Sequence, residues 1–396
     1  MGSLYSHQEK ILSDLRGGAS YICAAPRCGK TRPVISFCDD LDGDTLVLTK
    51  KAAVSGWLSE LEAMGVSSGF FVTNYEQVKT KGWDQSIRWG NLVCDEAHTL
   101  GTYPRPNQLV KPIRALDVAG LRIGVSATPC PESYSQLFHQ DKALRLGLWD
   151  DCSSFYQWHK RYGIPDMIRV QGRLRDTYKK VRESVWRDFQ RICSITDRQV
   201  VMPDFVEAED ILVPIEAPEV LEMCRKLKKD EVLEIDGHFI VADSPMALAQ
   251  KSQQICAGVV LDDAGVPVQV NSVKASWISK RFKGVKTAIL TTFRAEVDSL
   301  GGEGSQEAFL AGFEDWFVGN FSKYSSGVDL SPAEALVFTG CPWSCLHFWQ
   351  GRDRILNVKR EKPAPVYFPV IKGGIDEMIF NRVAVSKADF VAKLYA

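Results

Sequence analysis

The chain has almost no net charge. Over 396 residues, 48 Lys and Arg stand against 49 Asp and Glu, a formal charge of −1. Bulk charge therefore neither demands nor excludes a nucleic-acid partner, and only local patches decide. No apolar run approaches the ~18 residues of a membrane span, so no membrane partner is expected. No Cys-x-x-Cys pair occurs, and Cys341 and Cys345 meet no second pair or histidine cluster, which argues against a structural zinc site. The 11 cysteines lie mostly inside apolar runs such as Tyr21-Ile22-Cys23 and Leu92-Val93-Cys94. That is the pattern of reduced thiols, and a cytoplasmic location is expected. Residues 1–16 carry Glu9, Lys10, Asp14 and Arg16 and are not read as a signal peptide. No internal repeat or low-complexity tract is found. What is present, 45% hydrophobic and 24% charged residues, is the balance of an ordinary globular protein, and the length suits two or three domains at roughly 150 residues each.

The first 130 residues alternate strand and helix signals. Apolar runs at 19–25, 45–49, 69–73, 91–95 and 121–126 read as strands. Residues 51–64 repeat Val54, Leu58 and Leu61 at helical spacing. Such alternation predicts a parallel sheet covered on both faces. It resumes late, with strands expected at 285–291, 315–318, 335–338 and 365–370 and a closing helix over 375–394. Between them charge is segregated. Residues 155–198 hold eleven Lys/Arg against five Asp/Glu, with seven aromatics interleaved. Residues 204–236 hold eleven acids against four bases, and 274–286 hold five bases and no acid. The pattern suggests one basic face. The aromatics of 155–198 are open to two readings, bases stacked on exposed rings or rings packed inward at helical spacing.

The first strand runs into Ala24-Ala25-Pro26-Arg27-Cys28-Gly29-Lys30-Thr31, followed by a helix pattern. This is a phosphate-loop layout, in which backbone N–H groups at a helix N-terminus cradle phosphate oxygens. Lys30 would reach the β and γ phosphates and the Thr31 hydroxyl would bind Mg²⁺. Ala24 replaces the first glycine of the pattern, and Arg27 stands where a glycine is common. About 65 residues after Lys30, the strand Leu92-Val93-Cys94 ends in Asp95-Glu96-Ala97-His98. An acid at the end of a neighbouring parallel strand is where Mg²⁺ is held. Asp95 would hold the ion and Glu96 would orient the attacking water. Gly124-Val125-Ser126-Ala127-Thr128-Pro129 closes the next apolar strand.

Together these three segments resemble motifs I, II and III of the superfamily 2 helicases and translocases of the Asp-Glu-Ala-His type. The resemblance extends over nearly the whole chain, and the compact Swi/Snf-like versions encoded by bacteriophages are the most similar subgroup. His7-Gln8 resembles the adenine-reading motif, with Gln8 the reader. Residues 46–50 resemble motif Ia and 72–75 motif Ib, which implies that Lys50, Thr73 and Tyr75 contact nucleic acid. Residues 288–294 resemble the opening of a second motor domain. Gly327-Val328-Asp329-Leu330-Ser331 with Ala333 resembles motif V, placing Gly327 and Asp329 at the nucleotide. Gln350-Gly351-Arg352-Asp353-Arg354 resembles the arginine-finger motif VI. There Arg354 fits the first finger, the second position is Asn357, and Arg352 is an alternative. Gln253-Gln254-Ile255-Cys256-Ala257-Gly258 also fits the subgroup.

The resemblance implies an α/β chain of two RecA-like parallel-sheet motor domains in tandem, with a helical, basic insertion after motif III. The expected bounds are 1–130 for domain 1, 131–205 for the insertion, and 206–396 for domain 2 with an N-terminal helical protrusion. ATP and Mg²⁺ are the implied cofactors. The nucleotide would rest on Arg27, Cys28, Gly29, Lys30 and Thr31, with Ser126 and Thr128 coupling its state to motion. The implied activity is ATP-dependent translocation on or remodelling of DNA, in phage replication, recombination or repair, by a monomer. Arg173, Arg175, Lys179 and Lys180 would grip phosphates. An RNA helicase, a nucleotide-dependent switch with little turnover, and a small-molecule kinase are the rival readings.

Overall fold

The computed structural model describes residues 4–80, 83–84, 86–170, 172–324, 328–357 and 360–386. Gly327, expected at the nucleotide, and residues 387–394 of the expected closing helix lie outside the described residues. The chain forms two compact units, one up to Asp204 and one from Phe205 onward.

The first unit is built on a six-stranded, all-parallel sheet: β1 (Tyr21–Ala24), β2 (Thr45–Thr49), β3 (Phe70–Asn74), β4 (Asn91–Asp95), β5 (Arg122–Ser126) and β6 (Cys193–Thr196). The spatial order is β6-β1-β5-β4-β2-β3. Five of these strands fall within a residue or two of the apolar runs. Four of them, β1, β2, β4 and β5, bury alternate residues on opposite faces, whereas edge strand β3 is only half-buried, with Phe71 exposed. Tyr21 and Cys23 join one core with Leu46, Leu92, Phe138 and Trp158, while Ile22 and Ala24 join another with Ile11, Val47, Trp57 and Val93. A sheet buried on both faces needs such continuous apolar runs. β6 is the unforeseen strand. It comes from the basic insertion and pairs Cys193–Thr196 with Tyr21–Ala24. Helix α1 (Ser6–Arg16) packs beside helix α2 (Thr31–Asp39), and α3 (Val54–Ala63) follows β2. In α3 the buried residues are Trp57 and Leu61, whereas Leu58 is exposed.

The insertion is only partly helical. Its helices Leu137–Leu144, Phe155–Tyr162 and Ser184–Gln190 are interrupted by an antiparallel hairpin, Met167–Val170 with Arg173–Asp176. Four of its seven aromatics, Phe155, Trp158, Trp186 and Phe189, join the core, while Tyr156 stays exposed. The stacking-platform reading of those four rings is corrected, because burying them against Phe138 and Trp149 outweighs any gain from holding them in water.

The second unit has a five-stranded parallel sheet: β7 (Ala208–Ile215), β8 (Thr287–Thr291), β9 (Trp316–Asn320), β10 (Ala335–Phe338) and β11 (Ala364–Ile371), in the order β7-β11-β10-β8-β9. β7 lies in the acidic stretch and pairs with β11 over its full length. Its charged residues Glu209 and Asp210 are exposed, and their presence hides the strand in the sequence. Among the described residues the closing helix is α-helical over Ile375–Phe380 and continues as a π-helical turn over Asn381–Ser386. The basic run 274–286 is not one solvated face: Lys274 is buried, its Nζ 2.6 Å from Asp376 Oδ2 and 2.7 Å from the Thr339 carbonyl.

Candidate nucleotide site

The loop between β1 and α2 is held from two sides. From α1, His7 Nε2 lies 3.0 Å from the Cys28 carbonyl, and Gln8 Nε2 donates to the Gly29 carbonyl at 2.9 Å. From the far end of the insertion, Arg198 donates to the Pro26 carbonyl at 3.0 Å, and Ala25 N–H donates to the Thr196 carbonyl. Arg27 and Gly29 both have left-handed φ, 68° and 63°. A Cβ at 29 would stand 2.4 Å from Gln8 Nε2 and would displace that amide, so glycine at this left-handed position keeps the Gln8 contact intact. Gln8 Oε1 accepts from Tyr5 N–H, so the primary amide keeps one N–H and one lone pair for a further partner. Cys28 is buried, while Lys30 and Thr31 stand at the start of α2, both half-buried.

Asp95 ends β4 beneath this loop. Its Oδ2 accepts from Thr49 Oγ1 at 2.8 Å and Trp57 Nε1 at 2.9 Å, and its Oδ1 accepts from Glu96 N–H at 3.0 Å. Tyr75 donates its hydroxyl to the Asp95 carbonyl at 2.6 Å. Burial, and then the charge of Glu96, push the Asp95 carboxyl above the usual carboxylate range, against the lowering influence of Trp57, Lys30 and Thr49. Glu96 adopts a left-handed φ of 52°, and its side chain lies beside His98. His98 Nδ1 is 3.3 Å from Glu96 Oε2 and 2.9 Å from Ser126 Oγ, and Ser126 Oγ also accepts from Thr128 N–H. One imidazole thus joins the acid pair to the Ser-Ala-Thr segment. The 3.3 Å contact with His98 falls short of a hydrogen bond for Glu96 Oε2, and Thr128 Oγ1 is a buried atom without a hydrogen-bond partner among the described residues.

A carboxyl with a raised pKa beside a second carboxylate suits an added cation. The Thr31 hydroxyl and the Asp95 carboxylate are hard oxygen donors of the kind Mg²⁺ takes. No cluster of three His, Cys, Asp or Glu able to hold a metal occurs among the described residues.

The structure brings Gln8, Arg27, Cys28, Gly29, Lys30, Thr31, Asp95, Glu96, Ser126 and Thr128 into one neighbourhood. Lys50 lines a shallow depression of about 380 Å³ with Lys51, Asn74 and Gln77. Thr73 is half-buried on β3. Tyr75 lines the same depression, although it is largely buried and its hydroxyl donates to the Asp95 carbonyl. Arg173, Arg175, Lys179 and Lys180 are exposed on and beside the hairpin. In the second unit, Arg352 is buried, donating to Asp210 Oδ1 and the Ala208 carbonyl, both at 2.7 Å, with its guanidinium over Trp349. Arg354 is half-buried, its Nε 3.2 Å from the Gln350 carbonyl, and its own carbonyl accepts from Leu330 N–H. Asp329 accepts from Ser331 N–H.

Trp57, Thr49 and Arg198 are the positioning residues that sequence reasoning missed. Trp57 carries a usable signal, because an indole on the buried face of a helix needs an acceptor for its N–H. Arg198 carries none, since its partner stands 172 positions earlier in the chain.

No protein-family model matches the sequence, and no curated relative does. Among solved structures, the helicase domain of Hef from Pyrococcus furiosus is similar at a TM-score of 0.51 and 14% identity, over 95% of this chain and 97% of that one. The Sulfolobus solfataricus SWI2/SNF2 ATPase core is similar at 16% identity, with TM-scores of 0.43 in complex with dsDNA and 0.44 as the core domain alone. These cover 99% and 98% of this chain, and 92% and 90% of those. The fold is that of two RecA-like α/β domains in tandem.

Proposed function

We propose that the chain is an ATP-driven motor that moves along or remodels DNA. The observation that carries this is the Asp95–Glu96 pair, set under a tethered phosphate loop and joined through His98 to Ser126. A site meant only to bind a nucleotide has no use for a second carboxylate wired to a neighbouring strand end. Lys30 offers its ammonium to the β and γ phosphates. Thr31 and Asp95 hold Mg²⁺, which when bound neutralises phosphate charge. Glu96 orients and polarises the attacking water, and the His98–Ser126–Thr128 chain carries the change at the phosphate into the body of the unit.

From the second unit, Arg354 supplies the arginine-finger charge, a contribution of ~10³–10⁵ in rate where such a residue acts. Arg354 has the spacing after Gln350 that the resemblance gives to the first finger, and Arg352 donates to Asp210 and the Ala208 carbonyl. Lys50, Thr73 and the exposed cations of the hairpin grip phosphates without reading sequence. Gln8 reads adenine through the donor and acceptor it has left. The Asp329 segment and the Gln253–Gly258 segment support a Swi/Snf-like assignment and a phage setting in replication, recombination or repair.

The test is ATP turnover with and without DNA or RNA. Stimulation by DNA supports the reading, and stimulation by RNA alone moves it to an RNA motor. Glu96→Gln should bind ATP and fail to hydrolyse it, because the amide keeps the geometry but cannot accept a proton. Turnover near the wild-type rate in that variant would remove Glu96 from its role. Binding without turnover in the wild type would leave a nucleotide switch.

A further inference from the structure

All 11 cysteines are free. In the second unit, Cys224 and Cys256 stand close enough for their thiols to share a hydrogen bond. Cys224 lies on the helix Pro218–Asp230, one turn after Val220 and one before Leu227, on the face that packs against the helix Pro245–Ala257. Cys256 is fully buried on that second helix. Helical side chains lean toward the N-terminus, so Cys256 lies over the turn that carries Ser252. Cys224 Sγ meets the same turn, 3.9 Å from the Ser252 carbonyl. Both sulfurs therefore converge on one turn of one helix.

The two thiols differ in access and in acidity. Cys224 is half-buried and lines an open cavity of about 680 Å³ with Leu221, Arg225, Lys228, Leu248 and Met378, whereas Cys256 is closed off from solvent. A hydrogen bond from the Cys256 thiol, helped by one from the Ser252 side chain, holds the Cys224 thiol below its usual range, against the raising effect of burial. Buried thiols elsewhere go the other way: burial pushes Cys23, Cys38 and Cys94 up to about 12. The thiolate is the nucleophile, which makes Cys224 the attacking sulfur and Cys256 the resolving one. Among the described residues, the cavity lining carries two cations, of which Arg225 pairs with Glu222, and no Asp or Glu.

We propose that Cys224 and Cys256 form a dithiol redox site whose oxidant is a small anionic disulfide. A cavity of this volume admits a small organic molecule, whereas a peroxide would need no such room, and Lys228 and Arg225 complement carboxylates on the incoming group. The Cys224 thiolate attacks one sulfur of the disulfide, whose S–S bond breaks as one thiolate leaves. Cys256 gives up its proton to solvent and attacks Cys224 in the resulting mixed disulfide, expelling the second thiolate. The cysteine pair loses two electrons and two protons, and the small disulfide is reduced to two thiols. The new bond would join the two helices. The second helix also holds the Cys341 carbonyl and Trp343 Nε1 through Gln253, both at 3.0 Å, so the bond would tie the first helix to the segment that leads into Gln350–Arg354. The site stands apart from the motor reading and does not depend on it.

The test adds oxidised glutathione to the full chain, reduced and freed of reductant, and locates disulfides by mass spectrometry of peptides from the non-reduced protein. A Cys224–Cys256 link should form about tenfold or more faster than glutathione attaches to any other cysteine, and dithiothreitol should remove it. Cys256→Ser should stop at glutathione on Cys224, and Cys224→Ser should leave Cys256 unmodified. Hydroxyethyl disulfide serves as the neutral oxidant, and Lys228→Gln should lower the ratio of the glutathione rate to the neutral rate. The site is overturned if Cys224 and Cys256 of the wild type stay unlinked, whatever the other cysteines do, or if Cys256→Ser collects no adduct at Cys224 in a chain of unchanged melting temperature. An equal rate ratio in wild type and Lys228→Gln would overturn the preference for an anionic oxidant.

Discussion

Asp95 is held ionisable by its donors. Burial and the neighbouring Glu96 both favour the protonated form, while Trp57, Lys30 and Thr49 favour the charged one. Turnover needs the charged form, so activity should rise with pH along an acid limb set above the usual carboxylate range. Trp57→Phe removes one N–H from the carboxylate and should move that limb to higher pH, as read from a pH profile of kcat/KM; an unmoved limb would detach Asp95 from it. The two arginines of the 350–354 segment differ in a way that separates stability from chemistry. Arg354→Ala should lower DNA-stimulated turnover by about two orders of magnitude or more, with ATP affinity largely retained. Arg352→Ala strips Asp210 and the Ala208 carbonyl of their donor and should destabilise the second unit by roughly 1–3 kcal/mol in a denaturant titration. The reverse assignment of the two effects would shift the finger by two residues.

At the scale of elements, the insertion shows solvent the cations of its hairpin and of the residues just after it, while the helices around them bury Trp158 and Phe189 and expose Lys160, Arg161 and Arg187. The proposed phosphate grip of the hairpin is separable from those helices. Replacing Arg173, Arg175, Lys179 and Lys180 with Ala should flatten the log–log salt dependence of duplex binding by roughly 0.9 for each phosphate no longer neutralised. Lys180 should contribute least, because it already pairs with Asp166. A salt slope equal to that of the wild type would place the binding surface elsewhere. Strands β6 and β7 show how an element can hide. β6 is short and follows a basic amphipathic helix, and β7 sets Glu209 and Asp210 before its apolar residues inside an acidic run.

At the scale of the molecule, each unit has its own core, and the second buries an ionisable cluster at the ends of its strands. Lys274 lies between Asp376 and the Thr339 carbonyl, and Glu296 accepts from Phe293 N–H at 2.7 Å. Burial pushes the Glu296 carboxyl from 4.5 to about 7. The folded chain therefore keeps a proton that the unfolded chain has already released over that interval. Stability is fully present below the lower value and falls as pH rises toward the upper one, a loss of about 3 kcal/mol from this group. Glu296→Gln should flatten the decline, seen as a smaller difference between urea midpoints at about pH 5 and about pH 8. Equal differences in variant and wild type would show that the loss belongs to other groups.

The sequence alone determined the two parallel α/β units, most of their strands, and the loop-and-acid pattern of the nucleotide site. Those are legible because a strand buried on both faces must be continuously apolar, and because phosphate chemistry demands adjacent residues at a strand end: Gly29-Lys30-Thr31 in one place, Asp95-Glu96 in another. Only the tertiary structure decided what each side chain was spent on. It turned Tyr75 and Arg352 inward, gave Asp95 an indole donor from α3, brought Arg198 back to the phosphate loop, and buried Lys274 beside Asp376. It also left Ile168 and Leu174 in water while burying Phe155, Trp158, Trp186 and Phe189. The physical reason is that a hydrogen bond or ion pair between residues far apart in sequence leaves no periodicity behind, and burial is settled by the packing of the whole unit.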